Sequence, residues 1–208
     1  MNRINRRRFL AGGVTLPFIP SLLSQSSDTS GVLRGQFYKT LKIGMIKEGG
    51  NLKEKFSIAK EAGFDGVELS APGYDVGEAI QAVSETGLVV DGTVCADHWN
   101  VRHSDPDPAV RKRALETLLR ALEDTHAVGG HTVLLVVGHG KDGSEKEVWD
   151  RSVENISQAI PLAARLGVSI AVENVWNEFC YDAKGGSQQS GEKFAAYIDA
   201  FDSPWVGM

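Results

Sequence analysis

A short apolar run, a turn and an amphipathic segment recur along the chain from residue 41 onward. The first apolar run is Leu41–Ile46. Asn51 then stands where a helix N-cap is expected, and Glu54 follows three positions later, at capping-box spacing. Gly63 supplies a left-handed stop for that helix. The pattern predicts a β-strand followed by an α-helix as the repeating unit.

Four more units of the same kind follow. Asp107 and Pro108 give the clearest helix start, a capping carboxylate followed by a proline at the first turn. Pro161 lies inside another helical segment and predicts a kink or break there. The later strands are predicted at Gly66–Leu69, Leu88–Cys95, Thr132–Val137 and Val168–Glu173, and the remaining helices at about Val76–Thr86, Glu145–Leu166 and Gly191–Phe201.

Strict alternation of strands and helices predicts a parallel sheet with right-handed crossovers. No glycine-rich nucleotide-binding motif follows the first strand, which disfavours the common open doubly wound sheets. We therefore predict an α/β fold of the (β/α)8 TIM barrel type within residues 31–208. The chain holds its first five βα units, and Pro204–Met208 is predicted to begin the sixth strand.

The first 30 residues differ from the rest. Asn5–Leu10 resembles a twin-arginine export motif, and Phe9–Leu23 is apolar but interrupted by glycine and proline, so no stable membrane span is predicted. A polar run, Ser24–Ser30, follows. We expect residues 1–30 to be a signal peptide and linker, and the protein to be exported by the twin-arginine route to a periplasmic or other extracytoplasmic location. A basic start on a cytosolic protein is the alternative.

Charge and cysteine content narrow the function. Residues 1–27 contain four of the 22 basic residues and no acidic one, which leaves 18 basic against 27 acidic residues, a net charge near −9. Such a domain is a poor candidate for binding a nucleic-acid backbone. Cys95 and Cys180 form no metal or redox motif, and we expect two separate buried thiols, with a disulfide in an oxidising compartment as the alternative.

Two acidic residues lie in the predicted strands at positions that point away from the helices. Val67 and Leu69 should face the helices, which directs Glu68 into the barrel. By the same alternation, Glu173 at the end of the fifth strand faces inward, at the end of the barrel where active sites lie. A carboxylate in this place is costly unless it binds a cation or hydrogen-bond donors. Glu173 is the strongest candidate for function; a buried ion pair is the alternative.

Four segments together resemble one family. They are Gly63–Leu69, Asp105–Arg111, Ala171–Asn177 and Ser203–Gly207, and in order and spacing they are similar to the xylose isomerase-like barrel superfamily, within it the sugar-phosphate isomerase/epimerase group.

The resemblance implies a small-molecule sugar substrate, a divalent metal (Mn2+, Mg2+, Co2+ or Zn2+) and proton transfer through an enediolate. Glu173 matches the first metal ligand, which also exchanges the proton. An Asp, a His and a second Glu from later strands would complete the site. The complete protein is thus expected to be an isomerase or epimerase of a ketose or sugar phosphate, and this chain alone to be inactive.

Weaker candidates for sugar contacts follow other strands. His98 and Trp99 come after the third strand, and an ordered loop cluster is the alternative for them. His139 follows the fourth strand, and Trp176 and Asn177 follow Glu173.

Other side chains are assigned no chemistry. Lys47 either meets a phosphate or pairs with Glu68. His103, His126 and His131 are expected at the surface or at helix ends.

Two other functions remain open. One is a non-catalytic exported sugar-binding barrel, and the other is a hydrolase of the endonuclease IV type, which the acidic balance and the export signal disfavour. A homo-oligomer is compatible with either enzyme or binding protein.

Overall fold

A computed structural model describes residues 37–208, in which six parallel strands form one sheet in the order β1-β2-β3-β4-β5-β6. Each strand is followed by at least one helical segment before the next strand. This is the wall of a (β/α)8 barrel over its first six strands, and it confirms the predicted fold. The expected signal peptide, residues 1–30, lies outside the described residues.

The elements follow the predicted alternation closely. The strands are β1 Thr40–Lys42, β2 Gly66–Ala71, β3 Val89–Cys95, β4 Thr132–Leu135, β5 Ser169–Val172 and β6 Val206–Gly207. The α-helices are α1 Leu52–Glu61, α2 Val76–Thr86, α3 Pro108–Ala127, α4 Glu145–Ser157, α5 Ile160–Leu166 and α6 Glu192–Asp199, and short 3-10 turns lie at Ile43–Met45 and Gly140–Asp142. Among residues 37–208, no helix is both long enough and apolar enough to cross a membrane.

Helix ends show how local sequence sets these bounds. The side chain of Asn51 accepts a hydrogen bond from the Glu54 N–H at 2.8 Å, which confirms the predicted cap of α1. The second half of the predicted capping box is wrong, because the Glu54 carboxylate accepts from Gly50 N–H instead of closing on Asn51. Pro161 breaks the long predicted helix into α4 and α5, as expected.

Two predicted strands are shorter than their apolar runs. The run Leu41–Ile46 leaves the sheet after Lys42, since Ile46 N–H closes a turn onto the Ile43 carbonyl. The fourth strand ends at Leu135 although Val136 remains buried. The Val136 N–H donates to a side chain, His98 Nδ1, at 3.1 Å instead of continuing the ladder.

The helix-facing side of the sheet forms the core. Val67 and Leu69 of β2 pack with residues of α1 and α2, whereas Ile170 and Val172 of β5 pack with residues of α3 to α6. Because side chains alternate along a strand, Glu68 and Glu173 lie on the other, inner side, as predicted. Cys95 and Cys180 are both buried and free, which confirms two separate thiols.

Candidate functional site

Glu173 lies at the carboxyl end of β5, one position beyond the last strand residue. Its backbone N–H donates to the Leu135 carbonyl of β4 at 2.9 Å, so the sheet ladder fixes the start of its side chain. The strand before it is held in register by β4 on one side and β6 on the other. The carboxylate is therefore carried by a rigid element, as a catalytic or ligating group requires.

Glu68 and Lys42 lie side by side on the inner face of the sheet, since their Cα positions pair in the β1–β2 register. Glu68 is half-buried, and this burial raises the pKa of its carboxyl group. The positive charge of Lys42 opposes the shift, while the negative charges of Asp91 and Glu173 add to it. On the inner face of the sheet, the Glu68 carboxyl group is therefore close enough to Glu173 for the Glu173 charge to raise its pKa.

His98 is buried, with 6% of its surface exposed, below the mouth of the barrel, the end at which the strands have their carboxyl termini. Its Nδ1 accepts the Val136 N–H, so the ring is neutral with its proton on Nε2. Burial lowers the pKa of His98 to about 4, with the charge of Lys42 acting in the same direction. His98 thus closes the end of β4 and carries no charge at neutral pH, which favours the ordered-loop alternative for this residue.

Trp99 and Trp176 meet above the strands. Their ring centroids lie 5.9 Å apart with planes 33° from parallel, and the His98 ring packs edge-on against Trp99 at 6.0 Å. Trp99 is 37% exposed and Trp176 is 80% exposed. The loops after β3 and β5 therefore bring together three of the predicted site residues.

Asn177 is bound by the loop after β4, and the substrate contact predicted for it stays a prediction. It is 4% exposed, and its amide donates to the Gly138 carbonyl at 2.9 Å while its side-chain oxygen accepts from Phe179 N–H at 3.2 Å. Gly140 N–H in turn donates to the Asn177 carbonyl at 2.7 Å. Both ends of the Asn177 amide are engaged, so in this structure the residue joins the loops after β4 and β5.

The contacts of the loop after β4 with the loops after β3 and β5 leave no room for a side chain at Gly138 or Gly140. A Cβ atom added to Gly140 would lie 1.7 Å from the Glu178 carbonyl oxygen, and one added to Gly138 would lie 1.7 Å from Ser104 Oγ. Gly138 also has a φ of 152°, in the region that favours glycine. Glycine at these two positions therefore allows the loops that carry Trp99, His139 and Trp176 to pack against one another.

His139 lies in the loop after β4 and is partly exposed. Its backbone N–H donates to Asp142 Oδ2 at 3.0 Å, whereas its buried ring Nδ1 has no hydrogen-bond partner within residues 37–208. An unsatisfied buried ring nitrogen is costly, and a ligand hydroxyl could satisfy it. The substrate contact predicted for His139 stays a prediction.

An ionic network ties the loop after β3 to the loop after β4. Arg102 Nε donates to Asp142 at 2.8 Å, and Arg102 Nη2 donates to Asp105 at 2.6 Å. Burial by itself would raise the pKa of Asp142, but hydrogen bonds from Arg102, Ser104 and the His139 N–H outweigh burial and hold that pKa below its usual value. The network is a rigid support for the site.

His103 corrects the prediction of a surface position. It is 1% exposed and its Nδ1 lies 2.7 Å from the amide nitrogen of Asn155, so it joins the loop after β3 to α4. Burial lowers the pKa of His103 to about 3. His126 and His131 are exposed, as expected.

The Lys47 ammonium donates to the Gly44 carbonyl at 2.9 Å rather than pairing with Glu68.

The described residues do not make a metal site by themselves. Within residues 37–208, no group of three His, Cys, Asp or Glu side chains converges as ligands of one ion. Glu173 offers one carboxylate at the mouth, and a catalytic metal needs about three protein ligands. Glu173 therefore fits a single ligand position and no more.

The sequence interpretation missed two kinds of residue. Lys42 could have been found, because alternation from the apolar Leu41 directs it to the inner face beside Glu68. The partnership of Asp142 with Arg102 joins residues 40 positions apart, and no local motif signals it.

Comparison with known proteins assigns the chain to a fold family. The model of the family described as xylose isomerase-like TIM barrel matches residues 56–208. L-ribulose-5-phosphate 3-epimerase of Salmonella paratyphi B is 27% identical over 136 residues, which are 58% of this chain and 47% of that enzyme, and the enzyme of Salmonella dublin gives the same figures. The chain spans about half the length of these curated relatives.

Solved structures of sugar epimerases share the fold. A 3-keto-D-glucoside 4-epimerase from E. coli is similar with a TM-score of 0.68 and 21% identity, over 82% of this chain and 66% of that one. An L-ribulose 3-epimerase is similar with a TM-score of 0.66 and 21% identity, over 82% and 59%. At this identity the likeness concerns the fold.

Proposed function

The chain belongs to the xylose isomerase-like TIM barrel family, and we propose that the complete protein is an epimerase or isomerase of a ketose or sugar phosphate. The observation that carries the proposal is the place of Glu173, a carboxylate at the carboxyl end of β5 on the inner face of the sheet. The curated relatives, which are L-ribulose-5-phosphate 3-epimerases, support the same reaction class.

The proposed chemistry is proton transfer next to a carbonyl group. The Glu173 carboxylate takes the proton from the carbon α to the carbonyl, the C–H electron pair forms a carbon–carbon double bond, and the carbonyl oxygen gains the negative charge of an enediolate. Return of a proton to the opposite face of that carbon, from the second carboxylate that a later strand would supply, restores the carbonyl and inverts the carbon. Protonation of the former carbonyl carbon instead, with loss of the hydroxyl proton on the neighbouring carbon, moves the carbonyl there and gives the isomer. Lys42, on the same inner face, adds a positive charge that favours the anionic intermediate.

A divalent metal belongs to the proposal for the complete protein only. Its ion would be Mn2+, Mg2+, Co2+ or Zn2+, with Glu173 as one ligand and the others supplied by later strands, and it would polarise the carbonyl. Residues 37–208 do not complete this site, so no step is assigned to a metal within them. For the same reason we expect the 208-residue chain alone to be inactive.

Metal removal tests the proposal. The complete protein, treated with a chelator, should lose ketose epimerisation and regain it on addition of Mn2+ or another divalent ion. Glu173→Gln should lower both activity and bound metal, because the amide is a weak ligand and no base. Glu123→Gln is the matched control, since Glu123 is exposed on α3, away from the mouth. Unchanged activity in Glu173→Gln would contradict the role proposed for Glu173, whereas absence of ketose epimerisation and of bound metal in the wild type would leave a non-catalytic sugar-binding barrel as the alternative.

We also propose that the protein is exported by the twin-arginine route. Support comes from the sequence alone, in the Asn5–Leu10 segment of the first 30 residues. Replacing Arg6 and Arg7 together with lysine should retain the protein in the cytoplasmic fraction. Equal amounts of wild type and variant outside the cytoplasm would contradict export by this route.

A further inference from the structure

Trp176 is a large aromatic side chain that the structure holds out from the mouth instead of burying. It is 80% exposed, while its neighbours Val175 and Asn177 are 8% and 4% exposed. The backbone turns tightly at this point, since Asn177 N–H donates to the Val175 carbonyl at 2.8 Å. The junction of Asn177 with Gly138 and Gly140 fixes the same turn. The exposure of Trp176 is therefore built into a fixed backbone and is not that of a loose loop tip.

Trp99 supports the inner side of this indole. With ring centroids 5.9 Å apart and planes 33° from parallel, the two rings pack in a tilted stack, and the other face of Trp176 is left open. Trp99 is itself backed by the edge-on ring of His98. Together Trp99 and Trp176 form an aromatic platform above β3 and β5, and an open indole face is suited to the apolar C–H face of a sugar ring.

Charge around the platform favours a neutral occupant over an anionic one. Asp97 and Glu178 flank the two tryptophans in sequence and are exposed. Arg102, in the same loop as Trp99, is already bound to Asp142 and Asp105. Each carboxylate is two residues from a tryptophan in the same loop, and a carboxylate near the platform accepts hydrogen bonds from sugar hydroxyls and repels a phosphate group.

The platform lies further out than the reacting carbon would. Trp176 follows Glu173 by three residues, a span of at most roughly 10 Å of extended chain, and its side chain is 80% exposed whereas Glu173 is partly buried. A sugar that has its reacting carbon at Glu173 would therefore meet the platform with a different, non-reacting part.

We propose that Trp99 and Trp176 form a subsite for an uncharged sugar ring joined to the reacting ketose, so that the substrate class is a glycoside and not a sugar phosphate. This inference rests on the proposed function, because it takes Glu173 as the reacting end of the site. Trp176 supplies the contact face and Trp99 sets its tilt.

Binding of three related ketoses to the complete protein tests the subsite. D-fructose, fructose 6-phosphate and isomaltulose carry respectively nothing, a phosphate and a glucosyl ring on the same oxygen, and calorimetry gives the affinity of each. Isomaltulose is expected to bind more tightly than the other two. Trp176→Ala should weaken isomaltulose binding on the order of tenfold and leave D-fructose binding unchanged. Ile80→Ala removes an exposed apolar side chain from α2 and should change neither affinity.

Three outcomes would overturn the subsite. They are isomaltulose binding no tighter than D-fructose, fructose 6-phosphate binding tighter than isomaltulose, and equal weakening of D-fructose and isomaltulose in Trp176→Ala. These binding results are independent of turnover. Loss of epimerisation in Glu173→Gln together with any of these outcomes would leave the proposed function standing and remove only the subsite.

Discussion

Two histidines of the loop after β3, His98 and His103, are buried in the neutral state, and each accepts a hydrogen bond that joins this loop to a neighbouring element. His98 accepts the N–H that β4 no longer uses in the sheet, and His103 accepts a hydrogen bond from Asn155 of α4. Burial lowers the pKa of His98 to about 4 and that of His103 to about 3. Both pKa values lie well below that of an exposed histidine, about 6.5.

This difference predicts a loss of stability in acid. Below about pH 6.5 the histidine binds a proton in the unfolded chain, whereas in the folded protein it stays neutral until the pH approaches its lowered pKa. The free energy of unfolding therefore falls as pH falls. His103→Gln keeps an acceptor for Asn155 but cannot be protonated. Its free energy of unfolding, from urea titrations between pH 6.5 and pH 4, should fall less steeply than that of the wild type, by about 1.4 kcal/mol per pH unit. Parallel pH curves for the two proteins would contradict this account of His103.

A second prediction concerns Arg102, whose guanidinium serves two carboxylates of low exposure. Its loss would leave Asp142, with a side chain 4% exposed, without its strongest partner. Arg102→Ala should lower the free energy of unfolding by about 3 kcal/mol. Lys146→Ala removes one partner of an exposed pair, with side chains 82% and 57% exposed, and should cost less than about 0.5 kcal/mol. Equal effects in chemical denaturation would mean that the network contributes little to stability.

Single residues differ in how well the sequence predicts them. Glu68 and Glu173 could be placed on the inner face because alternation along a strand is a local property. His103 was placed wrongly at the surface, because its burial comes from α4, a distant segment whose approach no local pattern encodes. Asn177 follows Glu173 by four positions, yet its side-chain amide donates to the Gly138 carbonyl in the loop after β4, a contact that no local pattern predicts.

At the scale of elements, N-capping side chains and prolines in the sequence predict most helix ends. Asp107 accepts the Ala109 N–H at 2.8 Å at the start of α3, and Pro161 ends the run that would have joined α4 to α5. Strand ends were predicted less well, because β1 and β4 stop where a turn or a side chain takes over their backbone hydrogen bonds. Loops after successive strands then pack on one another through contacts that only the fold creates.

The contact between the loops after β4 and β5 can be tested at Gly140. Gly140→Ala would bring a Cβ to 1.7 Å from the Glu178 carbonyl oxygen, so one loop must shift. We expect the melting temperature to fall, by an amount that corresponds to roughly 1–3 kcal/mol. Gly186→Ala is a matched control, since an added Cβ there has no atom within 4 Å. Identical melting temperatures for both variants would show that these loops are not held together at Gly140.

At the scale of the whole molecule, the described residues form an arc of parallel strands. Within residues 37–208, β1 pairs only with β2 and β6 pairs only with β5, so both outer strands have an unpaired edge. The inner face carries Lys42, Glu68 and Glu173, while the helices cover the outer face. Alternation of elements predicts the parallel sheet, because a βα repeat with right-handed crossovers has few other arrangements, and the absence of a nucleotide-binding motif favours the barrel over an open doubly wound sheet.

The most direct test of the central claim is exchange of a ketose proton with solvent. Complete protein incubated with a divalent metal and a ketose in deuterium oxide should replace the hydrogen on the carbon next to the carbonyl by deuterium, seen as loss of that proton signal in NMR. Glu173→Gln should slow this exchange on the order of a hundredfold or more, whereas Glu123→Gln should exchange at the wild-type rate. Exchange at the wild-type rate in Glu173→Gln, or no exchange by the wild type with any ketose tried, would contradict the account.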